Sequence, residues 1–181
     1  GTFPIEAAMI AANIAPGMNR EFTGETWTNF IDKKLWYQAV NEANDKINDD
    51  IETDIQGYDI DGEMIEYSRK NAINAGVEHL IHFQERPVSG LSHRKKYGFI
   101  ITNPPYGERL EEQKSLQKIY TTLGEKYKAL DSWSAFIISS YENVEKDMGI
   151  KATKNRKIYN GMIKTYYYQF MGPKPPKNKN K

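Results

Sequence analysis

The chain has 181 residues, with 25 lysines and arginines against 24 acidic residues, a formal charge of +1, and no cysteine. That length suits one domain with a real core, and the lack of cysteine excludes disulfides and thiolate metal sites. No apolar stretch approaches membrane-spanning length, no signal peptide pattern opens the chain, and near-neutrality excludes a module that grips nucleic acid by charge alone. A cytoplasmic protein is expected.

In chain order, Gly1-Thr2 opens an Ala-rich helix from about Pro4 to Asn13, with Pro4 near its first turn, where a missing N–H costs little. A Gly-Thr pair at a helix start is also the tail of a loop that lets a cofactor approach the backbone and the positive helix end. An irregular stretch follows from Ala15 to Phe30, then a helix from Asp32 to about Asp49. Ile55–Asp59 reads as a short strand ending in carboxylates. A helix over about Gly62–Ala75 comes next, with apolar positions 64, 65, 68 and 72. A carboxylate at such a strand end accepts from both ribose hydroxyls of a nucleotide, so Asp59 is the candidate ribose ligand. Asp61 is better read as the N-cap of the next helix.

His79–Gln84 and Tyr97–Thr102 are the next strands. The second runs into Asn103-Pro104-Pro105-Tyr106, a breaker placed where open α/β sheets bind their ligands. An exocyclic base amine is a poor nucleophile because its lone pair is delocalised into the ring. Two acceptors aimed at its N–H groups draw the pair back: the amide oxygen of Asn103 and the main-chain carbonyl of Pro104. Proline fixes φ and brings no N–H to satisfy, and Pro105 biases Pro104 toward an extended conformation. Tyr106 offers a face for base stacking, and Gly107 leaves room for close approach. The plain alternative is an Asn-Pro turn with Tyr106 covering the sheet end.

After a charged loop come a helix from about Gln113 to Ala129 and a strand over Ser134–Ser139 with a short helix behind it. Two β-prone runs, Lys154–Tyr159 and Met162–Phe170, flank Asn160-Gly161 and read as a hairpin. Alternation sets Tyr167 on the face opposite Tyr166 and Tyr168. The alternating elements predict α/β with a mainly parallel sheet and this antiparallel hairpin at its end. Residues 1–172 form the domain, and 173–181 a disordered basic tail. His79, His82 and His93 lack metal-ligand spacing, so no metal site is expected.

Gly1-Thr2-Phe3-Pro4-Ile5-Glu6-Ala7-Ala8, Asn13 to Gly17 with Arg20, Phe22 and Trp27, Tyr58-Asp59-Ile60-Asp61, Asn71 to Gly76, and Ile101 to Leu110 together resemble one family. It is the adenosylmethionine-dependent RNA guanine-N2 methyltransferases that carry an upstream THUMP domain, including the large-subunit (23S) ribosomal RNA enzymes. The resemblance covers most of residues 1–170, and its most particular part is the tetrapeptide extended through Glu108 and Arg109. It implies a Rossmann-like class I methyltransferase fold that binds S-adenosyl-L-methionine and acts on ribosomal RNA. Asn103, Pro104, Pro105 and Tyr106 would hold the base, and Gly1, Thr2, Asp59, Ile60 and Asn103 would line the cofactor. N6-adenine methylation uses the same tetrapeptide logic, and an RNA-binding module without catalysis is a third reading. Where the family places an aspartate for the cofactor's adenine, this chain reads Gln84-Glu85-Arg86. The family's first strand and most of its glycine loop precede the position of Gly1. The expectation is therefore a fragment with unpaired strand edges either side of the gap, which alone binds cofactor weakly and is inactive.

Overall fold

The computed structural model describes residues 1–18, 20–105 and 110–177. It divides into two compact units, Gly1–Arg86 and Pro87–Lys181. No helix among the described residues is long and apolar enough to cross a membrane.

The first unit is built on a β-α-β crossover: β1 (Ile55–Asp59), α3 (Gly62–Asn74) and β2 (Ile81–Glu85), preceded by α1 (Thr2–Ala11) and α2 (Lys33–Asn44). The strands run parallel in register, from Ile55 opposite Ile81 to Asp59 opposite Glu85. Helix α3 begins at Asp61, whose carboxylate accepts the Glu63 N–H at 2.9 Å, the N-cap role expected of it. It buries Ile65, Ser68 and Ala72 on one face, while Met64, expected on that face, is exposed. Ile65 and Ala72 join Ala8, Ala12, Val77, Leu80, Ile81 and Phe83 in the core of this unit. Gly57 in mid-strand answers to packing: a Cβ there would lie 2.6 Å from the Phe83 ring and 3.2 Å from Pro4 Cγ.

Helix α2 is capped by the Asp32 side chain, which accepts from the Lys34 N–H, but it stops at Asn44, five residues before the sequence-based end. The reason is tertiary. Asn13 Nδ2 donates to the Lys46 carbonyl at 3.0 Å, and the Asn48 N–H to the Ala12 carbonyl at 2.9 Å. These bonds draw the segment away from the helical path and tie it to the end of α1.

The second unit is a four-stranded sheet in the order β3-β4-β6-β5, from β3 (Phe99–Thr102), β4 (Ser134–Ser139), β5 (Lys154–Asn160) and β6 (Ile163–Phe170). The pair β3/β4 is parallel, and β4/β6 and β5/β6 are antiparallel. The expected α/β class with a terminal antiparallel hairpin is therefore the one observed. Among the described residues, β1 pairs only with β2, and β3 only with β4 within this sheet. The hairpin turn sits one residue later than expected. Asn160 pairs with Ile163, so the loop is Gly161-Met162, with Gly161 at φ +61°. Glycine at the first loop position is what that backbone asks for.

Ala135, Ile137, Tyr168 and Phe170 on one sheet face pack against Leu116, Tyr120 and Leu123 of α4 (Leu110–Ala129) and Val144 and Met148 of α5 (Val144–Met148). The two helices touch at Gly124, where a Cβ would lie 2.3 Å from the Met148 carbonyl oxygen and 2.7 Å from its Cα. Alanine is the better helix former by about 1 kcal/mol. The clash is nevertheless with backbone, and such overpacking costs roughly 1–3 kcal/mol. Gly124→Ala is expected to lower the melting temperature, read by calorimetry. An unchanged or raised value would mean that α5 is held loosely.

Candidate functional site

The residues expected to hold a cofactor fall in the first unit, with the exception of Asn103. Asp59 closes β1 at its carboxyl end and is exposed, and its Oδ1 accepts the Asp61 N–H at 3.0 Å. That bond orients the carboxylate while leaving it open to solvent. Ile60 beside it is 73% exposed, an apolar side chain held out at the strand end. Directly opposite Asp59 in register is Glu85, which closes β2. A Cβ at Gly62 would lie 2.7 Å from Glu85 Oε2, so this carboxylate reaches over the start of α3. Two acidic groups therefore flank one another at the carboxyl edge. Residue order alone does not single out Glu85, because register is not visible until the strands pair.

Arg86, at the position where an acidic residue was expected, is turned aside. Its guanidinium lies 4.7 Å from the Tyr58 ring centre, and its N–H donates to the Asp59 carbonyl at 2.7 Å. This packing takes the positive group onto an aromatic face.

Gly1 and Thr2 start α1, with Gly1 at the N-cap, and the first helical bond runs from the Ile5 N–H to the Gly1 carbonyl at 3.2 Å. First-turn N–H groups are the donors that a helix start presents to an anionic ligand. Glycine itself answers to a different demand. A Cβ at position 1 would lie 2.6 Å from Ser68 Oγ and 2.7 Å from Ser68 Cβ, so Gly1 lets α1 approach α3.

The residues expected to hold a base fall in the second unit. Asn103, Pro104 and Pro105 leave the carboxyl end of β3, with Asn103 and Pro105 exposed and Pro104 buried. Burial of Pro104 anchors the turn, and Asn103 before it is exposed. Tyr106, Gly107, Glu108 and Arg109 lie outside the described residues, as do residues 178–181 of the tail.

Beside β3, at the carboxyl end of β4, is a polar aromatic group that the sequence reading missed. The Tyr120 hydroxyl donates to Ser139 Oγ at 2.6 Å, that oxygen also accepts the Tyr141 N–H at 3.0 Å, and the two tyrosine rings stack at 5.1 Å. Tyr141 donates to Asp147, and burial first, then that bond, raises its hydroxyl pKa above the usual tyrosine value. The group braces the carboxyl end of the sheet with neutral hydroxyls. Its only sequence signal was an aromatic residue soon after an apolar strand.

One open groove, of about 450 Å³ and lined by Ile10, Asn13, Ile14, Pro16, Ala39 and Ala43 among others, includes none of the residues expected to bind cofactor. No cluster of metal-ligating side chains occurs among the described residues. His79 and His82 are exposed, and His93 packs 5.2 Å from the Trp133 ring.

Residues 1–169 match the family model described as UPF0020, RMKL-like, methyltransferase domain. The chain is 44% identical over 179 residues to "Putative RNA methyltransferase YpsC" of Bacillus subtilis, covering 99% of the chain and 46% of that protein. It is 38% identical over 168 residues to "Ribosomal RNA large subunit methyltransferase K/L" of Shewanella woodyi, covering 90% and 24%. The chain thus spans less than half the length of these relatives. Among solved structures it resembles "SMU.472, a putative methyltransferase complexed with SAH", with a TM-score of 0.91 and 43% identity over 97% of the chain and 46% of that one. It also resembles a "predicted N6-adenine-specific DNA methylase" from Listeria monocytogenes, with a TM-score of 0.88 and 44% identity over 96% and 44%. With the family model spanning nearly the whole chain, this protein belongs to the UPF0020 family of RMKL-like methyltransferase domains.

Proposed function

We propose that the protein containing this chain is an adenosylmethionine-dependent RNA methyltransferase whose target is an exocyclic base amine, guanine N2 in large-subunit ribosomal RNA. The observation that carries the reading is an exposed Asn103, followed by a buried Pro104, at the carboxyl end of a parallel strand in a chain of this family. The relatives named for RNA and for the large ribosomal subunit support the substrate class.

The first unit supplies donors and acceptors that fit the cofactor: the exposed Asp59 carboxylate for the ribose hydroxyls and the first turn of α1 at Gly1 and Thr2 for the methionine part. Ile60 gives an apolar edge for the adenine ring, and Glu85, paired with Asp59, is the acceptor for its amine. A relative solved with SAH supports the same ligand class. Bound adenosylmethionine supplies a methyl group on a positively charged sulfur. The chain's task is to make the base amine attack it. Asn103 Oδ1 and the Pro104 carbonyl each accept an amine N–H, which returns the lone pair to nitrogen. Asn103 also borders the cofactor side in this reading, and Pro105 and Tyr106 complete the base-holding turn, Tyr106 by stacking. Held this way, the amine would be the nucleophile for the methyl group that the cofactor would supply, with its surplus proton passing to solvent. No covalent enzyme intermediate is needed.

With a charge near neutrality, affinity for RNA comes from elsewhere in the longer protein, for which a THUMP domain upstream is the proposed source. Adenine N6 is the second reading, favoured by the Listeria neighbour. A purine amine inside a duplex cannot reach a strand-end loop, so the base must be unpaired or extruded, at about a few kcal/mol. Full-length protein with labelled adenosylmethionine is therefore expected to methylate naked large-subunit RNA far better than mature subunits or DNA. Preference for DNA would favour the adenine reading, and equal labelling of mature particles would refute the demand for an accessible base. A full-length protein with no affinity for adenosylmethionine would instead be a non-catalytic RNA-binding module.

A further inference from the structure

The near-neutral charge of the chain is the sum of two unequal parts. Residues 148–181 hold nine lysines and arginines and no acidic residue, while residues 1–147 hold the other sixteen against all 24 acidic residues. Within the basic part lies the hairpin of β5 and β6. Strand β4 ends at Ser139, opposite Tyr166, but β5 and β6 go on pairing: Ile158 with Thr165, Tyr159 with Lys164, and Asn160 with Ile163. Three residue pairs and the Gly161-Met162 turn thus run past the carboxyl end of β4 as an arm, about 10 Å long at the rise of a strand. The arm leaves the same edge of the sheet as Asn103, because β3 and β4 are parallel and Thr102 pairs with Ile137. With the order β3-β4-β6, its base stands two strand spacings from β3, about 10 Å.

Cross-strand pairs share a face, so Lys157, Tyr159, Lys164 and Tyr166 stand together. Lys157 Nζ lies 5.2 Å from the Tyr159 ring centre, and Lys164 Nζ 5.2 Å from that of Tyr166. Tyr159 is 64% exposed, and Met162 at the tip 98%. Lysines on a free strand edge guard against stray pairing. That role accounts for the charges, but not for an open aromatic ring and an open methionine among them. Cations interleaved with aromatic faces suit a single nucleic-acid strand, which sets phosphates on the cations and unpaired bases on the rings.

We propose that the β5–β6 arm is an RNA contact, in which Lys157 and Lys164 take phosphates and Tyr159 stacks an unpaired base flanking the target nucleotide. This role rests on the reading of the protein as an RNA methyltransferase. The arm adds a local contact to the affinity supplied elsewhere in the polypeptide, and holds the substrate strand beside the edge that carries Asn103.

The test uses full-length protein with naked large-subunit RNA and, separately, S-adenosylhomocysteine. In the Lys157→Ala/Lys164→Ala variant, the plot of log RNA affinity against log salt is expected to lose about 1.4 of its slope, at about 0.7 per phosphate of a single strand. Tyr159→Ala is expected to raise KM for RNA roughly tenfold with little change in kcat, and Tyr159→Phe to match the parent, because the ring and not the hydroxyl stacks. Unaltered binding of S-adenosylhomocysteine by all three variants separates a lost contact from a folding defect. Independently of them, benzoylphenylalanine in place of Met162 is expected to crosslink to RNA near the methylated nucleotide. An unchanged salt slope, an unchanged KM in Tyr159→Ala, or crosslinks to protein alone, in a parent that methylates RNA, would each overturn the role of the arm. A parent that binds S-adenosylhomocysteine but neither binds nor methylates this RNA would overturn the RNA methyltransferase reading, and the arm with it.

Discussion

Asn103→Ala is expected to lower kcat about 100-fold or more while changing the dissociation constant for adenosylmethionine little. In the proposed mechanism its amide oxygen meets an amine N–H whose polarity grows as the nitrogen rehybridises. Such a contact would be stronger in the transition state than in the bound complex, and only differential contacts of that kind raise kcat. Loss of one group aimed at developing charge typically costs roughly 100- to 1000-fold in turnover. The exposed position of Asn103 after β3 makes its truncation mild for stability, so the kinetic loss is not a folding artefact. Steady-state kinetics on RNA, paired with calorimetric titration of the cofactor, separates the two quantities. Equal losses in both would mean that Asn103 chiefly shapes the cofactor pocket.

Asp59→Ala is expected to act the other way round, weakening cofactor binding roughly tenfold to hundredfold, as the loss of hydrogen bonds to a charged group predicts. The carboxylate is exposed at the end of β1, and one oxygen already takes the Asp61 N–H. With Asp59 as the proposed ribose ligand, Asp59→Asn, which keeps an acceptor and adds a donor, should lose less than Asp59→Ala. Titration of full-length protein with S-adenosylhomocysteine reads this directly. If both variants bound like the parent, Asp59 would be a turn residue and the ribose contact would lie elsewhere.

What the residue order shows and what it hides divide along the line between local and tertiary causes. β1 and β4 fall at Ile55–Asp59 and Ser134–Ser139 as expected, because each is a compact run bounded by turn-forming or charged residues. β3 starts two residues later than its apolar run. Tyr97 sits at φ +61°, its N–H donates to Ser132 Oγ, and Gly98 lies under the Trp133 ring, all imposed by the turn before β4. The alternation around Tyr167 is legible and correct: Tyr166 and Tyr168 pack together at 6.0 Å on the core side, while Tyr167 stacks on Phe136. Asp61 as a helix cap is a local event and is likewise legible. The strand-end positions of Asp59 and Asn103 follow from the same logic, since a breaker after a short apolar run marks a sheet edge. Gly1 shows both sides: its place at a helix start is legible, and the close approach to Ser68 that it also permits is concealed by sequence distance. Glu85 and the Tyr120–Ser139–Tyr141 group escaped for the same reason.

The central claim is that this fold methylates the amine of a purine in ribosomal RNA. It is tested most directly by digesting naked large-subunit RNA, after reaction with full-length protein and labelled adenosylmethionine, to nucleosides and identifying the labelled species by mass spectrometry. The account predicts N2-methylguanosine, formed about 100-fold or more slowly when Asn103→Ala protein is used. Label found only on a ring carbon, a ribose hydroxyl or a ring nitrogen would contradict it, because none of those positions offers the two N–H groups that the proposed role of Asn103 and Pro104 requires.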